Sequence, residues 1–131
     1  MDIRKKQRVV VEALEDIKGR DILVYDTARM PSMFERVVIA SGDSTRQVKA
    51  LADSVQDKVR ENGARVYGVE GEAAGEWVLV DLGDIVVHIM HPTVRDFYNL
   101  EEVWGGKPVK LKKAAAARRP RAKAPRTRRK R

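Results

Sequence analysis

The chain has 131 residues with no cysteine, and its 27 Lys and Arg outnumber its 19 Asp and Glu, for a formal net charge of +8 at pH 7. The lack of cysteine excludes disulfides, thiolate catalysis and Cys-based metal sites, and it suits a cytoplasmic location. No apolar run is long enough to span a membrane, and acids near the N-terminus disfavour a signal or transit peptide. The length allows one domain of about 100 residues and an additional segment.

Positive charge is concentrated at the C-terminal end. Of the 27 Lys and Arg, 13 lie in residues 107–131, which contain no acid, whereas the other 14 and all 19 acids lie in residues 1–106. Alanine, proline and dense like charge prevent the second segment from forming a core. We therefore predict an acidic folded domain over residues 1–106 and a basic, disordered tail over residues 107–131.

The first part of the domain predicts a helix followed by two strands. Apolar residues recur at helical spacing from Ile3 to Ile17, and Gly19 follows where a helix would stop. The apolar run within residues 21–26 predicts a buried strand, and residues 34–41, FERVVIAS, predict a second strand after a loop.

The next part predicts a second helix and a third strand. Ser44 and Gln47 have the spacing of a capping box, and an apolar stripe from Val48 to Val59 follows them. Asn62 and Gly63 end this helix, and residues 65–71, RVYGVEG, predict the third strand.

Residues 77–90, WVLVDLGDIVVHIM, predict a hairpin. If Leu82 and Gly83 form a two-residue turn, Trp77 lies opposite His88 and Asp81 lies opposite Asp84. One face is then entirely branched and suits contact with the helices; it contains Val78, Val80, Ile85, Val87 and Ile89. The other face carries Trp77, Leu79, Val86, His88 and Met90, and we expect part of it to be an open protein-binding surface. The alternative is that the terminal segment folds over it.

A final helix is predicted after the hairpin, because Pro92 stands where a helix can begin. Residues 93–102 would present Arg95, Tyr98 and Glu102 along one side. We expect Phe97 and Leu100 to anchor this helix in the core, which leaves Arg95 and Tyr98 as contact candidates. The order of elements predicts an α/β fold with a roughly five-stranded mixed sheet, two main helices and a short C-terminal helix.

Several motifs together resemble the Iojap family of ribosome silencing factors. They are the tryptophan strand and acidic turn WVLVDLGD, the strand VVH, and the closing segment RDFYNLEEVW. EALEDIKGRDILVYD and VIASGDSTRQVKALADSV also resemble that family, so the resemblance covers roughly residues 5–105. The shared motifs include the positions of Trp77, His88, Arg95, Tyr98 and Trp104.

The resemblance implies a function without catalysis or a cofactor. Family members bind the large ribosomal subunit through ribosomal protein uL14, block its association with the small subunit, and repress translation when nutrients or energy are low. An acidic domain is expected to bind protein rather than RNA at such a site. On this basis we predict contacts from Trp77, Leu79, His88, Met90, Arg95, Tyr98 and Trp104, with Asp81 and Asp84 as secondary contacts. We expect a monomer or a weak homodimer.

The main alternative is an enzyme, because the family's fold is similar to that of nucleotidyltransferases and the SGDS segment at a helix start could hold a phosphate. Metal-dependent nucleotidyl transfer requires clustered acids that bind two divalent ions. Here Asp43 places negative charge between Gly42 and Ser44, and Asp81 and Asp84 flank a turn. His88 and His91 lack a third metal ligand at convincing spacing. We therefore predict no catalytic or metal-binding residue.

The basic tail departs from the family pattern, so its partner cannot be taken from the resemblance. Dense cations favour phosphate binding by counterion release, so we expect non-specific contacts with ribosomal RNA. The alternatives are a solubilising appendage, or a general nucleic-acid-binding or assembly factor that acts through the tail; the body, which we expect to lack a basic face, argues against the last. The predicted RNA-binding residues are Lys112, Lys113, Arg118, Arg119, Arg121, Arg126, Arg128 and Arg129.

Overall fold

The computed structural model describes residues 1–30 and 33–99. These residues form an α/β fold with a five-stranded mixed sheet, as predicted, and the strand order in the sheet is β1-β2-β5-β4-β3. Only β2 and β5 pair in parallel; the other neighbours are antiparallel. The elements are α1 (Ile3–Asp16), β1 (Arg20–Asp26), β2 (Arg36–Ser41), α2 (Thr45–Glu61), β3 (Gly68–Glu70), β4 (Trp77–Asp81), β5 (Ile85–Met90) and α3 (Pro92–Tyr98).

The main core lies between one face of the sheet and the two long helices. Val10 and Leu14 of α1 and Leu51 and Val55 of α2 are fully buried there. The branched face of the hairpin joins them, with Val78, Val80, Ile85, Val87 and Ile89 all in the same cluster. The prediction that this hairpin face packs towards the helices is confirmed.

Gln47 joins the beginning of α2 to the end of α1. The Ser44 side chain accepts a hydrogen bond from the Gln47 amide at 3.1 Å, as capping-box spacing predicts. The side-chain oxygen Oε1 of Gln47 accepts a hydrogen bond from the Asp43 amide at 2.6 Å, and the side-chain Nε2 of Gln47 donates to the Ile17 carbonyl at 3.0 Å. One side chain therefore satisfies backbone groups at both helix ends.

The predicted hairpin register was wrong by two residues. Trp77 pairs with Met90, Leu79 with His88 and Asp81 with Val86, so the two-residue turn consists of Gly83 and Asp84. Gly83 has φ +94°, which glycine adopts at little steric cost. Because a shift of two residues preserves the alternation of side chains, both faces kept their predicted members.

The second face of the sheet is more covered than predicted. Val86 and Met90 are buried in a smaller cluster, and Val94 of α3 packs against it. Only Trp77 and Leu79 of the predicted open surface remain half-buried. The alternative that the segment after the hairpin folds over this face is therefore correct as far as α3 extends.

The last helix is shorter than predicted. Asn99 adopts a left-handed conformation with φ 50°, and its amide donates to the Arg95 carbonyl at 2.8 Å, which ends α3 at Tyr98. Phe97, predicted as a core anchor, is 80% exposed. Positions 95 and 97 lie about 200° apart around a helix, and Arg95 occupies the inward side. The predicted roles of Leu100, Glu102, Trp104 and the tail lie outside the described residues.

No helix within the described ranges is long and apolar enough to cross a membrane.

Lys6 fastens α1 to the turn between β4 and β5. Its Nζ donates to the Asp84 carboxylate at 2.7 Å and to the Leu82 carbonyl at 3.1 Å, and the side chain is largely buried. We predict that Lys6→Met lowers the free energy of unfolding by about 1–3 kcal/mol, because it leaves a partly buried carboxylate and a carbonyl without their donor. Urea denaturation measures the change.

The matched control is Lys5→Met, which removes a neighbouring exposed charge and should not lower stability. Adding Asp84→Asn to Lys6→Met should recover part of the loss, since the unpaired charge is then absent. Equal losses in the Lys5 and Lys6 variants would contradict a specific role for this ion pair.

Candidate protein-binding site

Trp77 and His88 lie side by side at the α3 end of the hairpin. The Trp77 Nε1–H donates to His88 Nδ1 at 3.1 Å, and the ring centroids are 6.0 Å apart. Since β4 and β5 hold both backbones, this bond fixes the orientation of the half-buried indole.

His88 is only 9% exposed, and its burial lowers its pKa from the usual 6.5 to about 4. The imidazole is therefore neutral at pH 7. Acceptance of the Trp77 hydrogen bond by Nδ1 assigns the remaining ring proton to Nε2. Only the neutral form of His88 can accept the hydrogen bond from Trp77, because an imidazolium has no acceptor nitrogen.

Three aromatic side chains form a continuous cluster at this end, which we call the aromatic cluster: Trp77, Phe97 and Tyr98. The ring centroids of Trp77 and Tyr98 are 5.2 Å apart, and Phe97 stands edge-on to Tyr98 at 5.0 Å. Phe97 is 80% exposed and Tyr98 is 55% exposed. Adjacent exposed rings held in favourable stacking geometries are typical of protein-binding surfaces.

Two predicted contact residues instead hold the cluster in place. Met90 is fully buried, so it offers no surface to a partner. Arg95 is 6% exposed, and its Nη1 donates to the Ser41 hydroxyl at 2.9 Å, which ties α3 to the end of β2. In the folded domain both residues therefore support the cluster, and their direct contact with a partner stays a prediction.

The secondary contact candidates lie at the opposite end of β4. Asp84 pairs with Lys6, and the Asp81 carboxylate accepts a hydrogen bond from the Gly83 amide at 2.8 Å. These bonds stabilise the turn. Because both carboxylates are engaged in these bonds, less of their charge is accessible to basic residues of a partner than the sequence suggested.

Sequence reasoning missed Phe97 as a surface residue. The spacing places Arg95 and Phe97 on opposite sides of the short helix, but it does not show which of the two faces inward. The apolar character of Phe97 favoured burial, whereas the hydrogen bond from Arg95 to Ser41 determined the orientation of α3.

The SGDS segment, which was considered as a phosphate site, contains an ion-paired aspartate. Asp43 accepts from Arg20 Nη1 at 2.5 Å, and both side chains are largely exposed. Among residues 1–30 and 33–99, no group of three His, Cys, Asp or Glu is placed to hold a metal ion. His88 Nδ1 already accepts from Trp77.

Comparisons with known proteins place this geometry in a family. The family model described as "Ribosomal silencing factor during starvation" matches residues 1–131. The chain is 56% identical over 106 residues to a ribosomal silencing factor from Chromobacterium violaceum, which covers 81% of this chain and 87% of that protein. A crystal structure of a protein from the same organism has 52% sequence identity and a TM-score of 0.79, covering 88% of this chain and 97% of the other.

A more distant similarity extends to mammals. The mouse protein named "Mitochondrial assembly of ribosomal large subunit protein 1" is 31% identical over 99 residues, which cover 73% of this chain and 43% of that protein.

The depressed pKa of His88 predicts a specific pH dependence of stability. Because the folded pKa of about 4 lies below the unfolded value of 6.5, the contribution is complete above about pH 6.5 and is lost as the pH falls towards 4. We expect a loss of about 2 kcal/mol by about pH 5. Urea unfolding of wild type and His88→Asn across this range isolates the contribution, since asparagine keeps an acceptor near Nδ1 but does not titrate.

The stability difference between the two proteins should therefore decrease as the pH falls. Parallel stability curves would show that protonation of His88 does not oppose folding.

Proposed function

The chain belongs to the ribosomal silencing factor family, and we propose that it binds the large ribosomal subunit through the aromatic cluster and sterically blocks association with the small subunit. In this proposal the partner is ribosomal protein uL14, and repression of translation accompanies a shortage of nutrients or energy. The bound domain acts by its bulk at the face where the subunits meet.

The exposed aromatic cluster is the observation that carries this proposal. Phe, Tyr and Trp are enriched at protein interfaces, and Tyr and Trp are enriched among the residues that dominate binding free energy. Fixing the orientation of such rings before binding lowers the cost of ordering them. Here Tyr98 packs on Trp77, which in turn bonds to the buried His88. Binding would therefore cost little side-chain ordering. The half-buried Leu79 adds apolar surface on the same sheet face.

Selectivity for protein over RNA is supported by charge. The net charge of residues 1–106 is negative, so RNA phosphates would repel the domain as a whole from misplaced sites. An apolar cluster within an acidic domain fits a ribosomal protein that presents apolar surface with basic residues around it.

We infer that the domain acts without catalysis. Steric occlusion requires only a rigid body and a complementary surface. The acids that an enzyme would need are engaged in the fold, with Asp43 on Arg20 and Asp84 on Lys6.

Assembly of the large subunit is a second candidate function. The name of the mouse relative assigns that protein to assembly of the mitochondrial large subunit. The same aromatic cluster would then bind an assembling subunit rather than a finished one, and contact with the ribosomal protein is common to both functions.

We predict that Phe97→Ala/Tyr98→Ala weakens binding to purified large subunits by about 30-fold or more, because each ring contributes over 1 kcal/mol at a hot spot. Both side chains are exposed, so the core remains intact. Sucrose-gradient sedimentation under subunit-joining conditions measures co-sedimentation and the block to joining together.

Met33→Ala is the matched control, because Met33 is an equally exposed large apolar residue outside the cluster. It should bind and block as wild type does. If the double variant still blocks joining, the aromatic cluster is not the site. If wild type does not co-sediment with the large subunit, the proposed function itself fails.

The basic tail is proposed to add contacts with ribosomal RNA once the domain is bound. Tethering raises the local concentration of its cations near phosphates, and counterion release makes this contribution depend on salt. We predict that removal of residues 107–131 weakens binding mainly at low salt, as measured by filter binding across a salt series. Unchanged affinity at every salt concentration would leave the tail with a solubilising role only.

A further inference from the structure

The end of α2 combines a helix-capping motif with the dipeptide Asn62-Gly63. Gly63 has φ +85°, and its amide donates to the Arg60 carbonyl at 3.0 Å. The Ala64 amide donates to the Val59 carbonyl, also at 3.0 Å. These two bonds define a Schellman motif, in which Asn62 is the C-cap. Since Ala64 also packs against the core cluster that contains Val59, the last turn is closed by backbone bonds and by one apolar contact.

The same dipeptide contains the atoms of an intramolecular reaction. In an Asn-Gly sequence the backbone nitrogen of glycine can attack the side-chain amide carbon of asparagine, because glycine has no side chain to hinder the approach. Asn62 is exposed. Apart from its chain neighbours, no residue has an atom within 4 Å of the position that a Cβ on Gly63 would occupy. Water can therefore reach the dipeptide, and the surrounding residues leave room for the reacting groups to move.

In the closed turn, hydrogen bonds hold both reacting groups. Nδ2 of Asn62 donates to the Lys58 carbonyl at 2.8 Å, and the Gly63 amide is bound to the Arg60 carbonyl. Formation of a ring between the two groups requires rotation of the Asn62 side chain and backbone, which breaks both bonds. The closed turn therefore suppresses the reaction, and local opening of the turn permits it.

We propose that Asn62 is a deamidation site whose reaction rate is set by local opening of the last turn of α2. The Gly63 amide gives its proton to hydroxide, and its nitrogen attacks Cγ of Asn62. A C–N bond forms, the Cγ–Nδ2 bond breaks, and ammonia leaves after taking a proton from water. Water then opens the cyclic imide at either carbonyl, which gives aspartate or isoaspartate. This modification goes beyond the proposed binding function, since the aromatic cluster belongs to β4 and α3.

Either product removes the cap of α2. Aspartate at position 62 cannot donate to the Lys58 carbonyl, and its charge opposes the helix dipole at this end. Isoaspartate inserts one carbon atom into the backbone before Gly63, so the two bonds of the Schellman motif no longer fit. We expect the Tm of the modified chain to be lower by about 5 °C.

The experiment incubates the full chain at mildly alkaline pH and measures modification of Asn62 by peptide mass spectrometry across a urea series. Below the unfolding transition the rate should be nearly independent of urea, because local opening exposes little surface. Above the transition the rate should be about tenfold higher or more, since the closed turn no longer protects the dipeptide. The internal reference is Asn99, which precedes Leu100 and should react more slowly in urea because a bulky side chain hinders attack.

Two variants separate local opening from global unfolding. Ala64→Gly keeps the Asn-Gly dipeptide but removes the apolar contact that closes the motif, so the rate in the folded chain should rise about threefold. Its rate in concentrated urea should equal that of wild type. Lys6→Met is the matched control, because it lowers global stability and leaves the end of α2 unchanged; its rate below the transition should stay at the wild-type value. Asn62→Asp reproduces one product and should show the lower Tm directly.

A rate that follows the unfolded fraction would overturn the proposal, because the reaction would then require global unfolding. So would a folded chain in which Asn62 is never modified, or a faster reaction in Lys6→Met without one in Ala64→Gly. Equal rates at Asn62 and Asn99 in urea would remove Asn62 as the favoured site. None of these results depends on binding to the large ribosomal subunit.

Discussion

The register of β4 against β5 determines where every part of the candidate site lies. With Gly83 and Asp84 as the turn, Trp77 is placed opposite Met90 and diagonally beside His88, within reach of its Nδ1. The same register directs Asp84 towards Lys6, so α1 is fastened to the turn and the hairpin cannot slip without breaking that ion pair. A slip of one residue would also exchange the branched face for the face that carries Trp77. Core, ion pair and hydrogen bond therefore favour a single alignment.

That alignment gives the two ends of the hairpin different chemistry. At one end α3 places exposed rings beside Trp77, supported by a neutral histidine and a buried arginine. At the other end Lys6 fastens α1 to the turn, and the Tyr67 ring lies against Gly83. The bonds at the turn therefore stabilise the hairpin, whereas the exposed rings at the other end are the part proposed to bind a partner.

Much of the fold followed from local sequence patterns. The stripes of α1 and α2, the Ser44 cap and the alternating faces of the hairpin all depend on short-range spacing, and the structure confirms them. The predicted pairing register was wrong because the sequence permits two adjacent turns, and the long-range bonds of Lys6 to the turn, which help to distinguish them, cannot be read from local spacing. The end of α3 depends on one left-handed residue, Asn99, whose conformation no periodicity reveals.

The candidate site was harder to predict than the fold, because a charged residue is buried there and an aromatic residue is exposed. Arg95, a charged residue, is buried through its bond to Ser41, and this orientation exposes Phe97. Trp104 and the tail residues remain predictions from the sequence.

The central claim is that the aromatic cluster binds a protein of the large subunit where the small subunit would dock. Cryo-electron microscopy of purified large subunits bound to the full chain tests it most directly. We expect Trp77, Phe97 and Tyr98 to be buried against a ribosomal protein, with the body of the domain overlapping the position of the small subunit. A complex in which these three rings face solvent, or in which the joining face stays open, would contradict it.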